Sequence, residues 1–352
     1  MSVSHLFDET DRAVLNEIQK RIPLDHRPFA VIGEKVGISE QECLGRIARL
    51  REQKVIRELC TVFDAQALGY QTSLVAMKLD PMRCDDAAEL IGQHPGTSYL
   101  ARYDDPFNLW LAIAVPSGDT IEQTIHVLHT LARAEETILL PVLRRYTAAG
   151  KINPAIDDVP WQGQQELRRE HRRVLSRPSL TEQDLQYIRA VQEELPLLEI
   201  PYAVWAEQVE TTEQELFGWM KRMEHLGYLL NIAATLQRSA LTTKTAEVVI
   251  AWDVPQENVD SIGQRMAAVR EVSYCQRHPT YAHWPSSLLT VIHAETEAVC
   301  QQVIRRMEER LGRFPHKHLK ETQRYRKRRA RYFSPMLEAW RKLIGNRVEL
   351  AK

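Results

Sequence analysis

Two short runs of this 352-residue chain gather the side chains needed to hold an acidic ligand and hand it a proton. The richer one is Ser273-Tyr274-Cys275-Gln276-Arg277-His278-Pro279-Thr280-Tyr281-Ala282-His283-Trp284-Pro285, whose two prolines exclude a helix. The other, Ser98-Tyr99-Leu100-Ala101-Arg102-Tyr103-Asp104-Asp105-Pro106-Phe107-Asn108-Leu109-Trp110, repeats its grammar. Both read Ser-Tyr-x-x-Arg, then a second ring, then an apolar strand-like run. Arg102 and Arg277 occupy equivalent places. A guanidinium fork there suits a bidentate carboxylate contact, though an arginine on a sheet is as often half of a surface ion pair. Tyr274, with Tyr99 as its counterpart, is a candidate acid, against the ordinary role of a packed strand tyrosine with a satisfied hydroxyl. His278 and His283 bracket a constrained turn and suit a proton donor or carboxylate partner, or a structural histidine. Trp110 and Trp284 suit the wall of a flat site, or simply core.

The elements that must position these residues follow from periodicity. From Leu6 to Arg57 the pattern is a small helical unit. Asp8 caps a helix with Ala13, Val14, Leu15 and Ile18 inward, and Arg27-Pro28 opens a second helix that Gly37 ends. Ser39 with Glu42 reads as a capping box for a third. This is a helix-turn-helix, followed by two short strands at 55–57 and 60–63. From Gln71 the order becomes strand 73–79, helix 85–93, strands 99–103 and 108–115, helix 120–133 and a closing strand 136–145. That βαββαβ order predicts a ferredoxin-like antiparallel sheet with both helices on one face.

The chain then repeats itself. With Asp11 laid on Asp184, Leu15 meets Ile188, Pro23 meets Pro196, Phe29 meets Tyr202, and Ile47 and Leu50 meet Met220 and Met223. A second βαββαβ series follows, ending in a strand near 318–325. Repetition in one register implies duplication. The predicted fold class is therefore α+β: a tandem duplication of a helix-turn-helix (winged-helix-like) domain and a ferredoxin-like domain. The two halves form an intramolecular pseudo-dimer. The expected domains are 1–64 and 65–152, a partly helical linker at 153–178, then 179–238 and 239–333, and a helical tail at 334–352.

Composition narrows the function. The net charge of −1 removes any global case for nucleic-acid binding. No apolar run approaches the roughly 18 residues of a membrane span, and the N-terminus lacks a signal pattern. Five scattered cysteines show neither metal spacing nor a disulfide framework, so a cytoplasmic protein with no metal site is expected. Gly45-Arg46-Ile47-Ala48-Arg49-Leu50-Arg51 is basic enough to touch phosphates, but its counterpart mixes Glu213, Glu215 and Glu224 with Lys221 and Arg222. One competent helix of two suits an operator poorly; DNA is not the expected partner.

These motifs together resemble the Lrp/AsnC architecture, and within it the siroheme decarboxylases of heme d1 and alternative heme biosynthesis. The resemblance rests on Leu6-Phe7-Asp8-Glu9-Thr10-Asp11, Pro23 to Phe29, Asp64 with Leu68-Gly69-Tyr70, Asn108-Leu109-Trp110, His278-Pro279-Thr280-Tyr281 with Trp284-Pro285, and Arg324 to Phe333. It covers nearly all of both halves. It implies decarboxylation of two siroheme acetates to give didecarboxysiroheme, without a separate cofactor, because the macrocycle itself accepts electron density. Iron-containing siroheme is then substrate, in pockets where the ferredoxin-like halves meet. In these terms Tyr274, Arg277 and His278 are candidate catalytic residues, His278 also as an axial ligand to the substrate's iron. Tyr99, Arg102, Tyr103, Trp110, Tyr281, His283, Trp284, Arg326 and Lys327 are candidates for binding. His278, His283 and the basic C-terminal run belong to the second half, which favours that half as the site. The chain departs from the family where Tyr99 and Tyr274 stand in place of a common histidine. A DNA-binding regulator and a tetrapyrrole sensor without turnover are the competing readings. A homodimer of the fused chain and contacts with other heme-biosynthesis enzymes fit the same picture.

Overall fold

The computed structural model describes residues 7–146, 177–237 and 246–350, so nearly all of the expected 153–178 linker lies outside the described residues. In chain order the first copy holds α1 (Glu9–Lys20), α2 (Pro28–Val36), α3 (Glu40–Glu52), β1 (Ile56–Phe63), β2 (Tyr70–Lys78), α4 (Cys84–Gly92), β3 (Thr97–Tyr103), β4 (Leu109–Pro116), α5 (Ile121–Ala132), β5 (Glu136–Leu140) and β6 (Arg144–Arg145). The second holds α6 (Glu182–Val191), α7 (Pro201–Gln208), α8 (Glu213–His225), β7 (Leu229–Leu236), β8 (Ala246–Trp252), α9 (Val259–Ala267), β9 (Val272–Arg277), β10 (Leu288–Ala294), α10 (Glu297–Leu311), β11 (His316–Leu319) and β12 (Glu321–Lys327). The tail is the expected helix, α11 (Met336–Leu350). Among the described residues no helix is long and apolar enough to cross a membrane.

The chain divides into two compact units, one built from 1–70, 153–242 and 331–334, the other from 71–152, 243–330 and 335–352. Like units from the two copies have therefore come together. In the first unit the two expected strands at 55–57 and 60–63 are one, because β1 pairs antiparallel along its length with β7 of the second copy. Each helix-turn-helix is tied by a buried aspartate at the same repeat position. Asp11 accepts from Arg46 Nη1 at 2.9 Å and Arg49 Nη2 at 2.5 Å. Asp184 accepts from Trp219 Nε1 at 2.8 Å and Arg222 Nη2 at 2.6 Å. Trp219 thus replaces Arg46 with a neutral donor. The Ser39 box is half made: Ser39 Oγ accepts from the Glu42 amide, while Glu42 itself turns to Arg46. Arg46 also reaches Asp8, and Arg51 reaches Glu194. The basic residues of the first recognition helix are thus already matched by carboxylates, which lowers what they can offer to phosphates.

In the second unit α4 and α5 cover one face of a sheet ordered β12-β3-β4-β2-β5, and α9 and α10 cover one face of a sheet ordered β11-β8-β10-β9-β6. Each expected closing strand is really two. β5 ends at Leu140 before Pro141, which has no ladder donor, and the chain crosses to place β6 against β9 of the other half. Likewise β11 stays with β8, whereas β12 pairs with β3. The exchange is reciprocal. Tyr146 beyond β6 donates to Asp260, and Tyr325 in β12 donates to Asp85, so each crossing strand is pinned to a helix of the half it enters. Gly263 makes room for the first of these, since a Cβ there would lie 2.4 Å from Tyr146 Cε2.

Because Asp11 is buried and serves two guanidinium groups, Asp11→Ala leaves both cations without that acceptor. The expected loss is about 2 kcal/mol, the scale of a hydrogen bond to a charged group. It is read as a lower urea midpoint at unchanged slope; an unchanged midpoint would remove the aspartate from the account of stability.

Candidate active site at the junction of the two sheets

On β3 the side chains of Tyr99, Ala101 and Tyr103 share one face of the sheet, and Leu100 and Arg102 the other. Leu100 enters the core under the helices, which places the two tyrosines on the helix-free face. Trp110 stands opposite Ala101 on β4 and lies beside Tyr103, ring centroids 5.6 Å apart. Trp284 arrives from the second half and meets Trp110 at 5.2 Å and Phe107 at 5.8 Å, both edge to face. Lys317 Nζ sits 3.8 Å above the Trp284 ring and bonds Asp105 Oδ2 at 2.8 Å. These residues make an aromatic wall contributed by both copies.

Beside that wall opens a cleft of about 690 Å³, whose lining includes Arg102, Tyr103 and Asn108 from the first half and Lys317, His318 and Thr322 from the second. Such a volume is ordinary for a small-molecule pocket. Arg102 brings to it a guanidinium with no ion pair among the described residues. Behind Tyr103 runs a chain of short hydrogen bonds. Its hydroxyl is 2.7 Å from that of Tyr99, which lies 2.5 Å from Glu321 Oε2 on the exchanged strand β12. Arg324 holds Glu321 from both nitrogens, at 2.7 and 2.9 Å. Burial first, and the neighbouring carboxylate with it, pushes the Tyr99 hydroxyl well above the usual phenol range.

The equivalent place in the second half is built from other groups. Tyr274 is buried with its hydroxyl against the Gln276 amide nitrogen, and Gln276 Oε1 accepts from Arg145 Nε and Nη2 at 2.9 and 2.8 Å. Arg145 comes from exchanged β6, as Arg324 comes from β12. Arg277, unlike Arg102, is engaged, with Asp260 at 3.3 Å and Gln256 at 2.7 Å. His278 Nδ1 lies 2.8 Å from the Leu140 carbonyl, an acceptor that requires Nδ1 to carry the proton. Its Nε2, like Trp284 Nε1, is buried without a hydrogen-bond partner among the described residues. Tyr281 donates to the Leu139 carbonyl at 2.6 Å, and exposed His283 lies 2.9 Å from Glu136. The run 278–283 therefore clasps the edge strand β5 of the first sheet.

The sequence-derived candidates thus separate into groups. Arg102, Tyr103, Trp110 and Trp284 come together at the cleft and its wall, with Tyr99 just behind. Tyr274 and Arg277 stand in the pseudo-equivalent place of the other half, and His278, Tyr281 and His283 join the halves. Arg326 reaches the carbonyls of His94 and Thr97 at 3.4 Å each, toward the far end of β3, and Lys327 pairs across from Tyr99. Glu321 and Lys317 escaped sequence reasoning as site residues. Both sit in a basic run that reads as a tail until its strands are seen to cross. Among the described residues no group of three or more His, Cys, Asp or Glu is placed to hold a metal.

Doubled helix-turn-helix and ferredoxin-like domains with exchanged strands define a fused protein of AsnC-like class. Residues 67–147 and 245–326 match the AsnC-like ligand binding domain, and 11–57 and 184–229 match the siroheme decarboxylase NirDL-like HTH domain. The chain belongs to the siroheme decarboxylase family. It is 26% identical to the siroheme decarboxylase of Hydrogenobacter thermophilus over 93% of this chain and 96% of that one. It is 30% identical to the siroheme decarboxylase beta subunit of Methanosarcina barkeri over 37% of this chain and 84% of that subunit. The crystal structure of the siroheme decarboxylase NirDL superposes with a TM-score of 0.76 at 24% identity, over 97% of this chain and 100% of that one, establishing the shared fold. A co-complex of that protein with an iron-uroporphyrin III analogue superposes with a TM-score of 0.75.

Burial pulls the pKa of His278 down to about 4, despite the opposing effect of the Leu140 and Pro141 carbonyls. The imidazole is then neutral at pH 7, and its NMR titration should show no protonation until well below pH 6. The sign for stability follows: an unfolded histidine takes its proton near pH 6.5, so protonation favours the unfolded chain as pH falls below that value. A native-state titration near 6.5 would contradict the buried placement.

Proposed function

We propose that this chain removes carbon dioxide from two acetate side chains of siroheme to give didecarboxysiroheme, and that the cleft at Arg102 and Tyr103 receives the acetate-bearing edge. The observation that carries the assignment is Arg102. In a siroheme decarboxylase family member, it is a cation with no ion pair among the described residues, in a cleft that Tyr103, Asn108, Lys317 and His318 also line. A peripheral carboxylate supplies the partner it lacks, and a guanidinium fork meets it in two parallel hydrogen bonds. Tyr103 is the ring that lines the cleft, with Trp110 and Trp284 buried behind it, and Lys317, paired with Asp105, is a second cation on the lining. The macrocycle serves as the electron sink, so the scheme needs no separate cofactor. The iron enters with the substrate.

The chemistry asked of the protein is modest in kind. Carboxylates remote from the reaction must be held, the reacting one must lie where loss of charge is favoured, and the carbon left behind must be protonated. Occupied Arg277 and carbonyl-bound His278 are less suited to hold a new anion than Arg102. Anaerobic incubation of the pure protein with siroheme, followed by mass spectrometry, should show loss of two carbon dioxide units. Intact siroheme under every condition would overturn the assignment. Arg102→Ala should weaken siroheme binding about tenfold or more, the worth of one charge-assisted hydrogen bond, and Arg277→Ala should weaken it less.

A further inference from the structure

We infer that Tyr103, Tyr99 and Glu321 form a proton relay that opens on the cleft at Tyr103 and ends near solvent at Glu321 and Arg324. The inference rests on the decarboxylase reading and assigns its acid. Tyr103 is the member that lines the cleft. Its hydroxyl touches Tyr99 at 2.7 Å, Tyr99 touches Glu321 at 2.5 Å, and Arg324 fixes Glu321. The Glu321 side chain is about a quarter exposed, at 24%, and Arg324 at 42%, so the relay can refill from water at that end.

The step balances without a redox partner. The bond between the acetate methylene and its carboxylate breaks, carbon dioxide leaves, and the bonding pair passes into the macrocycle. That pair then returns to the methylene carbon to take the proton of Tyr103 Oη, leaving a methyl group. The Tyr103 oxyanion takes the proton of Tyr99, which is replaced from solvent through Glu321. One proton is consumed for each carbon dioxide released. Burial raises the Tyr103 hydroxyl above the ordinary phenol range, which keeps it protonated and ready at neutral pH.

The second half provides a built-in contrast. Where Tyr99 has Glu321, Tyr274 has the Gln276 amide, which cannot carry a proton onward. Where Tyr103 faces the cleft, His278 is bound through Nδ1 to the Leu140 carbonyl. One copy keeps a continuous path of titratable oxygen atoms. In the other, the group against the Tyr274 hydroxyl is an amide.

The test is single-turnover decarboxylation of siroheme by the full chain, alongside spectral titration with iron uroporphyrin as a binding probe. Tyr103→Phe should slow proton delivery on the order of 100-fold, the usual worth of a positioned acid. Its affinity for the probe should stay within about twofold, because only transition-state stabilisation is removed. Glu321→Gln, which keeps the shape but not the proton, should lower kcat about tenfold at constant KM and enlarge the solvent deuterium isotope effect. Wild-type rates in both variants would overturn the relay, as would a rate loss matched by lost probe binding. Absence of carbon dioxide loss from the wild type would instead strike the decarboxylase reading itself. If Tyr103→Phe fails to fold, Glu321→Gln alone decides by its isotope effect.

Discussion

The second unit depends on one constraint: the last strand of each ferredoxin-like copy is completed in the other copy's sheet. β6 and β12 leave their own halves, and each supplies an arginine to the sheet it enters. A strand edge is otherwise a row of unpaired amides and carbonyls, and exchange removes one such edge from each sheet. It also makes the two halves a single folding unit, because neither sheet is complete alone. Fusion of the copies in one chain converts what would be a dimer equilibrium into intramolecular pairing at high effective concentration.

That exchange also brings distant side chains together. Tyr99 and Glu321 lie 222 positions apart in the chain, yet they share a hydrogen bond because β12 runs beside β3. The same crossing brings Arg145 to Gln276 in the other half. Duplication normally gives two equal sites. Here one copy carries a carboxylate where the other uses an amide, and one arginine has no ion pair among the described residues where its twin is held by Asp260. A duplicated site whose copies have diverged can divide its labour between reaction and scaffolding. His278, Tyr281 and His283 instead clasp β5 of the other half.

The first unit shows a related drift. Its two helix-turn-helix copies keep the same buried aspartate, but its donors are two arginines in one copy and an arginine with an indole in the other. Burial alone would raise the Asp184 carboxyl. Hydrogen bonds from Thr181 and Trp219 outweigh it and hold the group below the ordinary carboxylate range. Matching each arginine of α3 to a carboxylate in its own unit lowers the positive charge available for phosphate binding.

Much of this was decided locally and could be read from residue order. Helix starts were marked by Asp8 and Ser39, the end of α2 by Gly37, and the doubling by an unbroken register from Asp11 to Asp184. Arg102, Tyr103 and Trp110 stood out because their types and spacing recur. What residue order left open was which strand would lie beside which. The break at Pro141, the crossing of β12, and hence the meeting of Tyr99 with Glu321 and of Trp284 with Lys317 are non-local pairings. Antiparallel partners are chosen by which edges remain open once both halves have folded, and no spacing along one strand records its neighbour. Local chemistry named the side chains, and only the tertiary structure could say which copy holds them in one open cleft.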